Sequence, residues 1–114
     1  MRFLLLLTAL ALSGCVTTPE ELRTGGNVVI KTSKLDPVAA HQCLLRRLPE
    51  LRGTIMATER KDVTPPEIWG YYMGGLWTIA SVRPGAMGSE VTWRFDPILL
   101  EFEQNRFLAA MESC

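Results

Sequence analysis

Ile68-Trp69-Gly70-Tyr71-Tyr72-Met73-Gly74-Gly75-Leu76-Trp77-Thr78-Ile79-Ala80-Ser81-Val82 carries no charged side chain between Glu67 and Arg83. A helix needs about 20 apolar residues to cross a bilayer core, so this stretch is too short to be a span. Its aromatic and β-branched side chains suit pleated strands, and the two adjacent glycines tolerate the positive φ angles of a tight hairpin turn. The stretch is read as two strands, Ile68 to Met73 and Leu76 to Arg83, joined at Gly74-Gly75. One long strand interrupted by a glycine bulge is the competing reading.

Downstream, a turn over Pro84-Gly85-Ala86-Met87-Gly88 leads to Ser89–Phe95, where Val91, Trp93 and Phe95 alternate with Glu90, Thr92 and Arg94. That alternation is the signature of a strand with one face in the core. Asp96-Pro97 is expected to open a last helix running to the C-terminus, with Leu99, Leu100, Phe107, Ala110, Met111 and Cys114 on its apolar side. Upstream, Thr64-Pro65-Pro66 breaks the chain. Before it, Thr54 to Lys61 reads as a strand with Met56 and Thr58 on one side and Ile55 and Ala57 on the other.

Asp36-Pro37 opens an earlier helix whose apolar face collects Val38, His41, Leu44, Leu45, Leu48 and Leu51, and Pro49 is expected to end or kink it near Leu48. Val28-Val29-Ile30 gives a first strand over Asn27 to Thr32. The order β-α-β-β-β-β-α implies an α+β fold, an antiparallel sheet of about four to five strands with two helices packed on one face.

The first residues have a different character. Met1-Arg2 is a minimal positive start, and Phe3 to Leu12 is an uncharged Leu-rich run ending at Leu12-Ser13-Gly14-Cys15. The run has the length of a signal-peptide core and falls short of a membrane span. Leu12-Ser13-Gly14-Cys15 resembles the lipobox of bacterial lipoproteins. That resemblance implies that residues 1–14 are removed, that Cys15 becomes the acylated first residue, and that the protein is held to a membrane by its lipid. Several acyl chains on one residue anchor stably where a single chain does not. Val16 stands where some families carry an inner-membrane retention aspartate, which favours the outer membrane, facing the periplasm.

The domains expected are therefore a signal peptide over 1–14, a lipidated N-terminus and tether over 15–26, and one α+β domain over 27–114. Within the tether, Thr18-Pro19-Glu20-Glu21 has the form of a capping box, and Gly25-Gly26 would end any helix it starts.

With Cys15 assigned to lipid, Cys43 and Cys114 remain, and a pair of cysteines in an oxidising compartment reads as a disulfide. Cys43 sits on the flank of its helix, which suits a bond to a neighbouring helix. No basic cluster is present to activate either thiol for redox work. His41, the single histidine, forms His-x-Cys with Cys43. Two helical residues two apart point about 200° from each other, so they cannot share a metal. His41 is read as a core or interface residue, because a general base would also need a nucleophile and an orienting acid.

Among 114 residues, 12 basic and 12 acidic side chains give a formal net charge of zero. Counterion release demands clustered Lys or Arg, so nucleic acid is not an expected partner. The candidate binding surface is Trp69, Tyr71, Tyr72 and Met73, aromatic and adaptable side chains beside a turn. No catalytic residue, metal ligand or cofactor is assigned. The function expected is a non-catalytic binding or assembly module of the cell envelope, with the membrane and an envelope protein as partners. An inhibitor of an envelope-degrading enzyme is the first alternative and a cell-wall hydrolase the second.

Overall fold

A computed structural model describes residues 18–51 and 55–114. The expected leader, the expected lipobox with Cys15, and Thr54, the expected start of the second strand, lie outside the described residues. The elements are α1 (Pro19–Gly25), β1 (Asn27–Ser33), α2 (Pro37–Glu50), β2 (Ile55–Arg60), β3 (Glu67–Tyr72), β4 (Gly75–Gly85), β5 (Gly88–Phe95) and α3 (Glu101–Leu108), with a 3-10 turn over Ala109–Glu112. The strands form one sheet in the order β1-β5-β4-β3-β2, and every neighbouring pair is antiparallel. The expected α+β fold with its antiparallel sheet is therefore what the chain adopts.

β2 to β5 form a meander, and β1 joins it at the far edge beside β5. α2 consequently has to cross the sheet from one edge to the other. Ala40, Leu44 and Leu48 of α2 pack on Ile55, Ile68, Ala80, Val82, Val91, Trp93 and Phe95 of the sheet. Phe107 and Ala110 from the C-terminal segment complete this layer. Phe95 is its hub, stacked against Trp93 at 5.9 Å between centroids and tilted against Phe107 at 6.0 Å.

The hairpin between β3 and β4 turns one residue earlier than expected. Tyr72 pairs with Gly75, so the loop is Met73-Gly74, with φ of 50° and 79°. These are the positive φ values at both central positions that a type I′ loop, one of the two forms matching the sheet's twist, requires. Gly74 takes such an angle freely, and Met73 takes it as an L-residue in the left-handed region. The hairpin rules out one long strand with a bulge at the glycines, but an unexpected bulge lies further along: the register shifts between Gly70 and Tyr71, pairing Gly70 with Thr78 and Tyr71 with Leu76. Trp77 is the extra residue.

Three local expectations need correction. Asp36 caps α2, its Oδ1 accepting from Ala39 N at 2.9 Å, but the same Asp-Pro pair at 96–97 opens no helix. Asp96 Oδ1 accepts from Ile98 N at 3.0 Å and its carbonyl accepts from Leu99 N at 3.0 Å, closing a turn. α3 begins only at Glu101, behind an uncapped Leu100 that is 58% exposed. α2 passes through Pro49 to Glu50, since a proline in the last turn removes only one terminal bond. Its buried arc is Ala40, His41, Cys43, Leu44 and Leu48, leaving Val38 74% exposed.

The expected tether is in part folded. Pro19–Gly25 is a helix, capped as expected by Thr18, whose Oγ1 accepts from Glu21 N at 3.3 Å. Leu22 is completely buried on the sheet face opposite α2, against Trp69 and Ile79. The sheet thus carries α2 and α3 on one face and α1 on the other. Residues 19–25 are packed structure and not free leash.

Cys43 and Cys114 are disulfide-bonded, joining α2 to the C-terminal residue across a sequence separation of 71. Ser33 Oγ also donates to the Cys114 carbonyl, which seats the chain end against β1.

Candidate functional site

β3 divides the four residues expected to form one binding surface. Alternate side chains of a strand point to opposite faces. Trp69 and Tyr71 therefore pack with Leu22, Ile79 and Leu76 under α1, whereas Tyr72 packs on the α2–α3 side. Met73 stands apart at the hairpin tip, 84% exposed.

Trp69 is part of a clasp that holds α1 down. Its Nε1 donates to Glu67 Oε1 at 3.2 Å, and the Arg60 guanidinium lies 4.4 Å from its ring centroid. Arg23 of α1 reaches the same Glu67 in a two-pronged contact, Nη2 to Oε1 at 2.6 Å and Nε to Oε2 at 3.1 Å. Partial burial pushes the Glu67 carboxyl up, but the hydrogen bonds from Arg23 and Trp69 outweigh it and hold the group below the usual carboxylate range. The same hydrogen bond, donated to Glu67, raises the Arg23 pKa. These contacts account for Trp69 as a structural residue.

Tyr72 opens onto a cleft of about 400 Å³ between the end of α2, the start of β2 and one face of α3. Among the described residues its lining is Leu51, Ile55, Tyr72, Phe102, Asn105, Arg106 and Ala109. The position of α3 follows from Gly70. A Cβ there would lie 2.6 Å from Thr78 Cγ2 and 3.1 Å from Phe107 Cε1, so only glycine lets the Phe107 ring settle against the sheet. With Phe107 inward, Phe102 and Arg106 share the adjacent face, since residues four apart on a helix are neighbours.

Arg106 Nη1 donates to Tyr72 Oη at 3.3 Å, and its guanidinium carbon lies 5.7 Å from the Phe102 ring centroid. Arg106 is half-buried, and no carboxylate among the described residues comes within salt-bridge distance of it. Phe102 is 59% exposed and forms the outer wall. The arrangement is a small-molecule-sized depression, mainly apolar, with Tyr72, Asn105 and Arg106 as the polar groups of its described lining.

A second recess, of about 220 Å³, lies where α2 meets β2. His41 Nε2 is 2.9 Å from Glu59 Oε1, and Lys61 Nζ is 3.8 Å from Glu59 Oε2. Glu59 is the acid whose absence from the sequence reading left His41 without a partner. The signal was present in strand parity, because Ile55, Ala57 and Glu59 occupy one face of β2. Pro37, Val38, Gln42, Pro66 and Val82 line the rest of the recess, with no hydroxyl or thiol among its described lining residues. Among the described residues no group of three or more His, Cys, Asp or Glu is placed to hold a metal ion, and no helix is long and apolar enough to cross a membrane.

Fold and site together define an α+β domain with a solvent-open apolar cleft beside its last helix. In comparisons with known proteins, no family model, curated protein or solved structure matches the chain.

Proposed function

We propose that the chain is a lipid-anchored binding module of the bacterial cell envelope, non-catalytic, with the cleft beside α3 as its binding site. The observation that carries the binding reading is the cleft, whose described lining pairs apolar walls with the Arg106 guanidinium, the Tyr72 phenol and the Asn105 amide. The lipobox supports the anchor and the oxidised Cys43–Cys114 pair suits an oxidising compartment. α1 sharpens the geometry of attachment. Thr18, the cap of α1, is three residues from Cys15, a reach of at most about 11 Å for extended chain. A domain held that closely works at the bilayer surface, and the outer membrane is the membrane we favour.

One observation favours a hydrolase as a second reading, the His41–Glu59 pair at 2.9 Å. A water-activating histidine needs such an acid to orient it. Turnover of cell-wall fragments that His41→Ala abolishes would establish that reading over ours.

Fractionation of envelopes tests the proposal. The wild-type chain should sediment with membranes, Cys15→Ser should be released into the soluble fraction, and Phe102→Glu should stay on the membrane. Membrane retention of Cys15→Ser equal to wild type would contradict the anchor.

A further inference from the structure

The Arg106–Tyr72 corner of the cleft has the chemistry of a receptor for one particular kind of head group. A guanidinium that lines a cleft with no carboxylate partner among the described residues can serve as the counter-charge of an anion that enters it. Arg106 spends one N–H on Tyr72 Oη and keeps others of its planar fork, which match the two oxygens of a carboxylate. Tyr72, having accepted that bond, retains its own O–H to donate. Leu51, Ile55, Phe102 and Ala109 supply apolar wall, and Asn105 is the one further polar side chain of the described lining.

Charge sets the limit on the head group. Glu103, on the same helix, lines a small recess that adjoins the cleft through Ile55, Tyr72 and Arg106. Among the described lining residues Arg106 is the one cation, so a monoanion matches it in charge, whereas a doubly charged phosphate leaves one charge uncompensated near Glu103. The cavity volume of about 400 Å³ is near the lower end of small-ligand sites, which suits a short hydrocarbon body and not a two-chain lipid.

We infer that the cleft binds an aliphatic monocarboxylate of medium chain length, its carboxylate on Arg106 and Tyr72 and its chain along Leu51, Ile55 and Phe102. This rests on the reading of the cleft as the binding site and adds the class of ligand.

The test is a titration of the full-length protein, purified as the cell makes it, with isoleucine methyl groups labelled for NMR and octanoate as the probe. The Ile55 methyl should shift saturably, while Ile30 and Ile79, on the opposite face of the sheet, stay in place. Arg106→Gln should weaken octanoate about tenfold or more, in line with the loss of a charge-assisted bond, and Tyr72→Phe should weaken it less. Unmoved Ile79 and Ile68 signals in each variant show that the fold is kept. Octanol binding with the same midpoint as octanoate would overturn the inference while leaving the cleft a binding site. Octyl phosphate binding more tightly than octanoate would overturn the monocarboxylate assignment. An Ile55 signal that responds to none of the three would overturn the inference and remove the cleft's support for the binding reading.

Discussion

Removing the Cys43–Cys114 bond should cost this domain a large part of its stability. The bond closes a loop with a sequence separation of 71, which in the chain-entropy account corresponds to about 4 kcal/mol taken from the unfolded state. Domains of this size have a total of about 5 to 15 kcal/mol, so the loss is a substantial fraction of the whole. Little should change in the folded state, because the chain end keeps its own contacts. Ser33 Oγ donates to the Cys114 carbonyl, and Leu35 N donates back to Ser33 Oγ at 3.2 Å. Urea unfolding followed by tryptophan fluorescence separates the cross-link from side-chain packing when oxidised wild type, reduced wild type and Cys43→Ala/Cys114→Ala are compared. The two forms without the bond should lose similar stability, roughly 3 to 4 kcal/mol, and show a steeper urea dependence, since an uncrosslinked chain exposes more surface on unfolding. A loss below about 1 kcal/mol in reduced wild type would refute the loop-closure reasoning.

Gly70→Ala should destabilise by about 1 to 3 kcal/mol, the usual range for overpacking. Thr78 cannot swing away, being buried with its Oγ1 donating to the Arg94 carbonyl at 3.0 Å; adding Thr78→Ser, which deletes the clashing Cγ2, should recover most of the loss in a thermal melt. A neutral Gly70→Ala would mean that Phe107 is not pressed against β3. Glu67→Gln tests the clasp on α1 and its pH dependence. The folded-state carboxyl of Glu67 lies below its ordinary value, so its stabilisation is present above the unfolded-state pKa of about 4.3 and is lost as pH falls through the folded value. The variant should therefore be less stable than wild type by about 1.5 to 3 kcal/mol at pH 7, with the gap closing below pH 4; a gap of equal size at pH 7 and pH 3 would exclude the ion pair as its source.

The parts of the fold legible in the sequence are those set by local pattern. Alternation at Val91, Trp93 and Phe95, the Asp36-Pro37 cap and the Thr18 cap all correspond to real elements because short-range chemistry decides them. Asp96-Pro97 shows where such reasoning ends. The dipeptide is identical to the one at 36–37, yet Asp36 serves the third residue on and Asp96 the second. The difference is tertiary: Phe95 and Leu99 on either side are both buried in the core, so the chain must reverse before a helix can start.

α1 was legible as a helix but not as part of the domain. A single apolar residue, Leu22, marks its inner face, and its partners Trp69 and Ile79 lie far along the chain. The cleft was less legible still. Tyr72 alone of its lining belongs to the expected binding surface Trp69, Tyr71, Tyr72 and Met73, whose members β3 separates. Arg106 carries no motif, and the four-residue spacing from Phe102 gains meaning only once Phe107 is fixed beside Gly70.

Native mass spectrometry of the protein released from membranes in mild detergent tests the central claim in one spectrum. The account predicts a chain beginning at Cys15 that carries acyl mass, together with a small non-covalent ligand that is lost in Phe102→Glu while the acyl mass remains. A chain with unmodified Cys15, or wild type and Phe102→Glu both without a ligand, would contradict it.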